Sequence, residues 1–254
     1  MNKDAFRQIM VILATVVMIT INALANILPF NGLTTGAVSD SFKVFFVPAG
    51  YVFAIWGLIY LLLIGYTIYQ ALPAHREDAT LRRIGWWYVL SAVVNSAWIF
   101  LWHYQQFPFT LVMMLVLLVS LIVIVLNLKP LDASGSTGEK LLLRLPFSVY
   151  LGWITVATIA NVTDVLDFYH RNGFGIQPQT WVAIMLAVAL VVAFLMMIAR
   201  RDWAFLAVLV WAFIGIAVKF PSEAVVVLSS WVAAGISGVF LLVSLWLSGR
   251  KTLR

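Results

Sequence analysis

Three aromatic side chains, Phe53, Trp56 and Tyr60, stand three and four residues apart. That spacing places side chains one above another on a helix. A second set, Tyr88, Ser91, Asn95, Trp98 and Trp102, repeats the step. A third consists of Tyr150, Trp153, Ala157 and Asn161, with a small residue between the indole and the amide. The chemistry open to these groups is recognition. Indole and phenol rings stack on flat ligands, and amides and phenols donate and accept hydrogen bonds. A cavity walled by such stripes is apolar, neutral and flat-sided. It suits a large planar or rigid hydrophobic ligand and does not suit a sugar or an ion. Each stripe also has a plainer reading. The aromatics serve equally as helix packing faces, Ala157 as a close helix contact, and Asn95 as an interhelical hydrogen bond worth about 0.6–2 kcal/mol.

Elsewhere the chain offers little reactive chemistry. His75, His103 and His170 lie near the ends of apolar runs, far apart and without metal-ligand spacing. Ser148 has no base beside it in sequence. No phosphate-binding loop or dinucleotide glycine fingerprint is present. No catalytic residue, metal ligand or obligatory cofactor is expected, and a non-enzymatic role is favoured.

The elements that carry the stripes must be membrane helices. Of 254 residues, 63% are hydrophobic and 10% charged, against about 25% charged in a soluble domain. Mean hydropathy is +1.02. The apolar runs match helices rather than barrel strands. The spacing predicts eight spans, about 7–28, 47–70, 86–104, 108–128, 145–166, 179–199, 203–219 and 224–247. The first, with Lys3 and Arg7 ahead of it, is read as a span rather than a signal peptide. The fold class expected is all-α, a polytopic membrane bundle.

Charge placement orients it. Of the 16 Lys and Arg residues, Lys43, Arg171 and Lys219 fall in one set of loops, and the other thirteen fall in the alternate set with the termini. By the positive-inside rule both termini are cytoplasmic. The net charge of +6 is thereby accounted for without nucleic acid. There is no cysteine, hence no disulfide. No Asp, Glu, Lys or Arg stands near the middle of a span, which argues against an ion-coupled transporter. The intramembrane polar groups that stand out are the amides Asn22, Asn26, Asn95 and Asn161.

At the stripes the chain resembles the translocator protein family, also called tryptophan-rich sensory proteins or peripheral-type benzodiazepine receptors. Its second-helix pattern P-P-G-W-V-F-G-P-V-W-x-x-L-Y is approached by Pro48-Ala-Gly-Tyr-Val-Phe53 and Trp56-Gly-Leu-Ile-Tyr60, with one residue fewer before the tryptophan. Asn95 and Trp98 match N-x-x-W of the third helix. Tyr150, Leu151, Trp153 and Asn161 match the fifth, with Val149 in place of proline. The resemblance covers about residues 7–166. It implies a five-helix bundle that binds porphyrins, sterols or synthetic aromatic ligands, with Phe53, Trp56, Tyr60, Asn95, Trp98, Tyr150, Trp153, Ala157 and Asn161 around the ligand. On this reading residues 1–172 form the ligand-binding bundle and 173–254 an accessory three-helix segment. Leu166, Tyr169 and Arg171 also fit a cholesterol pattern, L-x-x-Y-x-R.

The function expected is an integral membrane binding or sensory protein for tetrapyrrole-like, haem-like or sterol-like molecules, in a bacterial cell membrane. Two alternatives stay open. One is a transporter of such ligands; the other is a light- or oxygen-dependent enzyme that modifies a tetrapyrrole. The partners expected are membrane lipid and a small hydrophobic ligand, with a homodimer left open.

Overall fold

The computed structural model describes residues 2–28, 30–169 and 175–251, with the backbone alone for Arg250 and Lys251. Among the described residues there are eight long helices and no strand: α1 Lys3–Ile27, α2 Ile55–Ala71, α3 Ala79–His103, α4 Phe107–Asn127, α5 Leu145–Phe168, α6 Pro178–Arg200, α7 Trp203–Lys219 and α8 Ala224–Lys251. A 3-10 turn, Gly50–Ala54, leads into α2, and a short π-helical stretch, Lys140–Arg144, leads into α5. Seven of the eight are long and apolar enough to cross a membrane, α2 being taken with its 3-10 turn as Gly50–Ala71. The exception, α7, has 17 residues, about 25 Å at ~1.5 Å per residue against a hydrocarbon core of about 30 Å. The chain is thus the polytopic all-α membrane protein that its apolar runs predict. His170, Arg171 and the Asn172-Gly173 turn lie outside the described residues.

The chain forms two compact units. The first comprises Met1–Ser41, Trp56–Lys129 and Gly135–Leu151; the second comprises Phe42–Ile55, Pro130–Ser134 and Gly152–Arg254. The boundary therefore falls within α5, after Leu151.

In the first unit α1 carries a seven-residue repeat. Gln8, Thr15 and Asn22 form one line and Val11, Met18 and Ala25 another, all buried. This is the seam expected where helices pack side by side. The apolar line fills space, and the polar line makes rungs. Gln8 Nε2 donates to Gln70 O at 2.6 Å, and Gln70 Nε2 donates to Gln8 O at 3.3 Å. Thr15 Oγ1 lies 2.8 Å from Thr67 Oγ1 and 2.7 Å from Tyr88 Oη. Asn22 Nδ2 donates to Asn95 Oδ1 at 2.8 Å.

The ends of this unit are tied as well. Arg82 pairs with Asp4 at 2.6 Å. The buried Arg7 pairs with Asp4 at 3.0 Å and donates to Arg76 O at 2.7 Å. Helix α3 starts at Ala79, earlier than the apolar run at 86 suggests, because Asp78 caps it. Its Oδ1 accepts from the backbone N–H groups of Thr80 and Leu81 at 2.8 and 2.9 Å. The charged Arg82 and Arg83 therefore sit in the first turns of the helix. At the opposite end, buried His103 bridges Phe30 O (3.1 Å) and Thr35 Oγ1 (3.0 Å). Trp102 Nε1 donates to Thr35 O at 3.1 Å.

In the second unit α7 is covered rather than lipid-facing. Ala204, Phe205, Leu206, Leu209, Ala212, Phe213 and Ile216 are all buried. Neighbouring helices shield it, so 17 residues serve where a lipid-exposed helix needs about 20. Small residues allow close approach: Ala189 and Ala193 on α6, and Ser230, Ala233 and Ser237 on α8, are buried. Gly215 O accepts from Ala49 N at 3.0 Å, and a Cβ at Gly215 would overlap Val52 Cγ2.

Candidate ligand-binding site

The entry to α2 sets the geometry of its aromatics. Phe53 stands in the 3-10 turn Gly50–Ala54, while Trp56 and Tyr60 stand on α-helix from Ile55 onward. The backbone thus passes from 3-10 to α winding between Phe53 and Trp56.

Within the first unit, Trp56 and Tyr60 stack with centroids 5.5 Å apart at 25°. Trp56 also meets Tyr150 edge to face, at 5.9 Å and 68°. Both α2 rings are half-buried, and Tyr150 is fully buried. Asn95 Nδ2 donates to Tyr150 Oη at 3.1 Å while its Oδ1 accepts from Asn22. The plainer reading of Asn95, an interhelical hydrogen bond, is therefore realised. Four of the nine expected site residues, Trp56, Tyr60, Asn95 and Tyr150, form one connected cluster. Trp98 is buried one turn beyond Asn95 and stacks on Trp102 at 5.1 Å and 18°. Trp102 is buried too and hydrogen-bonded, unlike the half-exposed Trp86 and Trp87 that fit an interfacial belt.

The remaining expected residues belong to the second unit. There Phe53 and Trp153 meet edge to face at 5.7 Å and 82°. Trp153 and Asn161 are buried, and Ala157 is half-buried.

The family profile described as TSPO-like protein matches residues 8–246. The chain belongs to this family. The match bears out the resemblance drawn from three short motifs. It also runs on through α6, α7 and α8, where those motifs had nothing to say. No curated protein and no solved structure matches the chain.

One part of the site escaped the motif reading. Asn22, which fixes the Asn95 amide, was visible as an intramembrane polar residue but not as a partner. Its signal was the seven-residue recurrence with Gln8 and Thr15, which marks the face that α1 turns to its neighbours.

Proposed function

We propose that this TSPO-like membrane protein binds hydrophobic planar molecules of the tetrapyrrole or sterol kind, as a binding or sensory protein, and that Trp56, Tyr60 and Tyr150 form the receiving wall. The observation that carries the reading is the stacked, half-buried Trp56–Tyr60 pair standing against a buried phenol. Half-exposed indole and phenol rings supply flat area for stacking. Tyr150 Oη accepts from Asn95, so the phenol keeps its own proton to donate to a ligand oxygen. Asn95 acts through Tyr150 as a positioning residue. No obligatory cofactor enters this reading.

The test is porphyrin titration of the full chain in detergent, read by quenching of tryptophan emission. Trp56→Phe is expected to weaken binding about three- to tenfold, since aromatic stacking is worth about 0.5–1.5 kcal/mol beyond burial. Trp87→Phe, at the lipid-facing end of α3, is expected to change little. Equal behaviour of the two variants in folded protein would remove the assignment. Trp153→Phe in the same titration asks whether the Phe53–Trp153 pair takes part. Trp231→Phe on α8 asks whether residues 173–254 are accessory to binding, as proposed.

We further propose that both termini are cytoplasmic in a bacterial inner membrane. The side-chain contacts within each unit agree with the alternation of loops. Asp4 with Arg82, and Arg201 with Asp132 at 3.4 Å, each join segments assigned to one side. Reporter fusions after residues 140 and 172 should read opposite sides.

A further inference from the structure

The second unit holds a cavity of about 200 Å³. Phe45, Phe46, Trp181 and Met185 supply apolar walls, and Lys43 and Asp167 are its charged lining. Its volume is below the roughly 300–1,000 Å³ of sites that enclose a drug-sized molecule, and a tetrapyrrole is larger still. A single flexible tail fits better. Lipid chains are as apolar as the walls, so moving a tail from bilayer to cavity has little drive of its own. Any preference must come from the charged groups.

Those groups are arranged in an unusual way. The backbone N–H of Lys43 donates to Asp167 Oδ2 at 3.2 Å. Yet among the described residues the Lys43 ammonium and the Asp167 carboxylate form no ion pair with each other or with any other residue. One cation and one anion thus line the same hollow, and among the described residues neither is in an ion pair. Asp167 stands one residue before the end of α5, next to the exposed Phe168 and Tyr169. Exposed aromatic rings at a helix end mark the level of the lipid headgroups. An apolar tail joined to one anionic and one cationic group matches this site on all three counts. The carboxylate further favours a cation that can donate N–H hydrogen bonds.

We propose that the cavity is a lipid site for a phospholipid with a phosphoethanolamine headgroup. Part of one acyl chain occupies the hollow while the rest stays in the bilayer, the phosphate meets the Lys43 ammonium, and the headgroup ammonium meets Asp167. A choline headgroup offers no N–H to the carboxylate. A glycerol headgroup offers no cation, only neutral hydroxyl donors, whose hydrogen bonds to the carboxylate lack the second charge. The site differs in ligand class from the aromatic wall of the first unit and does not rest on it.

Trp181 provides the readout. The full chain in detergent is titrated with phospholipids carrying brominated acyl chains and ethanolamine, choline or glycerol headgroups. The signal is the part of the tryptophan quenching that disappears in Trp181→Phe. The ethanolamine lipid is expected to reach half-effect at about tenfold lower concentration than the other two, the scale of one charge-assisted hydrogen bond. Asp167→Asn is expected to erase that preference, and Lys43→Gln, which removes the partner of the phosphate that all three lipids share, to weaken all three together. Asp167→Asn keeps an acceptor for the Lys43 N–H, and Lys43 is exposed, so both variants retain the local fold. The proposal is overturned if the three headgroups quench alike, or if the charge variants match the unaltered chain. It is also overturned if a brominated sterol quenches Trp181 at lower concentration than every phospholipid.

Discussion

In the first unit, α1 meets its neighbours through amides and hydroxyls: Gln8 with Gln70, Thr15 with Thr67 and Tyr88, and Asn22 with Asn95. In the second, α7 buries apolar and small residues of its own, with Ala212 and Gly215 among them. Buried Ser230, Ser237 and Ser244 on α8 have hydroxyls that meet no hydrogen-bond partner. Lipid tails are as apolar as leucine, so burying apolar surface between helices gains little in a membrane. What remains is hydrogen bonding across the interface or close van der Waals fit; the α1 seam of the first unit relies more on the former and the packing of α7 and α8 more on the latter. They should therefore fail to opposite insults. The first should be sensitive to losing a polar atom, the second to gaining a methyl group.

The largest effect is expected from Gly215→Val. Even alanine there places a Cβ on Val52 Cγ2 and 3.1 Å from Pro48 Cβ, and Val52 is fully buried with no room to swing away. Overpacking of this kind costs about 1–3 kcal/mol, with valine at or above the upper end. A fall in the thermal unfolding midpoint in detergent would show it. Gly57→Ala is the control, because nothing lies within 4 Å of its added methyl. Relief of glycine's backbone entropy makes that change neutral or stabilising, by up to about 1 kcal/mol. Equal melting of the two variants would contradict close packing at Gly215.

Next in size is Asn22→Leu in the first unit. It strands Asn95 Oδ1, a buried acceptor whose partner at 2.8 Å is the Asn22 amide. The expected loss is about 1–3 kcal/mol. A double-mutant cycle with Asn95→Leu separates the rung from simple loss of shape. Its coupling should be about 0.6–2 kcal/mol, and additive losses would mean that the rung contributes nothing as a pair. The cycle also bears on ligand binding. Asn22→Leu frees Asn95 to turn away from Tyr150, so affinity for a porphyrin should drop although Asn22 touches no ring of the wall.

The legible part of this molecule was the part governed by lipid. Runs of apolar residues marked the helices from α1 to α8. The short α7 was found because burial by neighbours leaves a helix as hydrophobic as lipid does. The stacked Trp56–Tyr60 pair followed from an i, i+4 spacing on one α-helix. The 3-10 winding of Gly50–Ala54, which carries Phe53, was not read from the spacing; just ahead of it a backbone bond runs from Ala49 to Gly215. That bond joins residues far apart in sequence and leaves no periodic trace. The cavity beside Lys43 and Asp167 was equally hidden, since its walls come from a loop and from two helices. The rungs of α1 fall between these cases: the repeat was present, but the partners Gln70, Thr67 and Asn95 have no shared spacing.

The smallest expected effect is the one that sharpens the comparison most. Ser237 is fully buried on α8, and its Oγ has no hydrogen-bond partner. Ser229 and Ser248 on the same helix donate to the carbonyl one turn earlier at 2.7 Å, so a helical serine here can satisfy itself, yet Ser237 does not. If α8 used polar rungs as α1 does, Ser237→Ala would destabilise by the 1 kcal/mol or so of a lost hydrogen bond. If the residue is present because it is small, alanine removes an unsatisfied hydroxyl and keeps the close approach. The expected change is then between zero and a gain of about 1 kcal/mol, kept small because the unfolded helix in lipid also finds partners for its hydroxyl. Ser237→Leu completes the argument. It adds bulk where the backbones need room, and should destabilise although it is more apolar than serine. An ordering of alanine, serine, then leucine from most to least stable supports fit as the organising force of the second unit. Serine above both would place a hydrogen bond there and erase the distinction from the first.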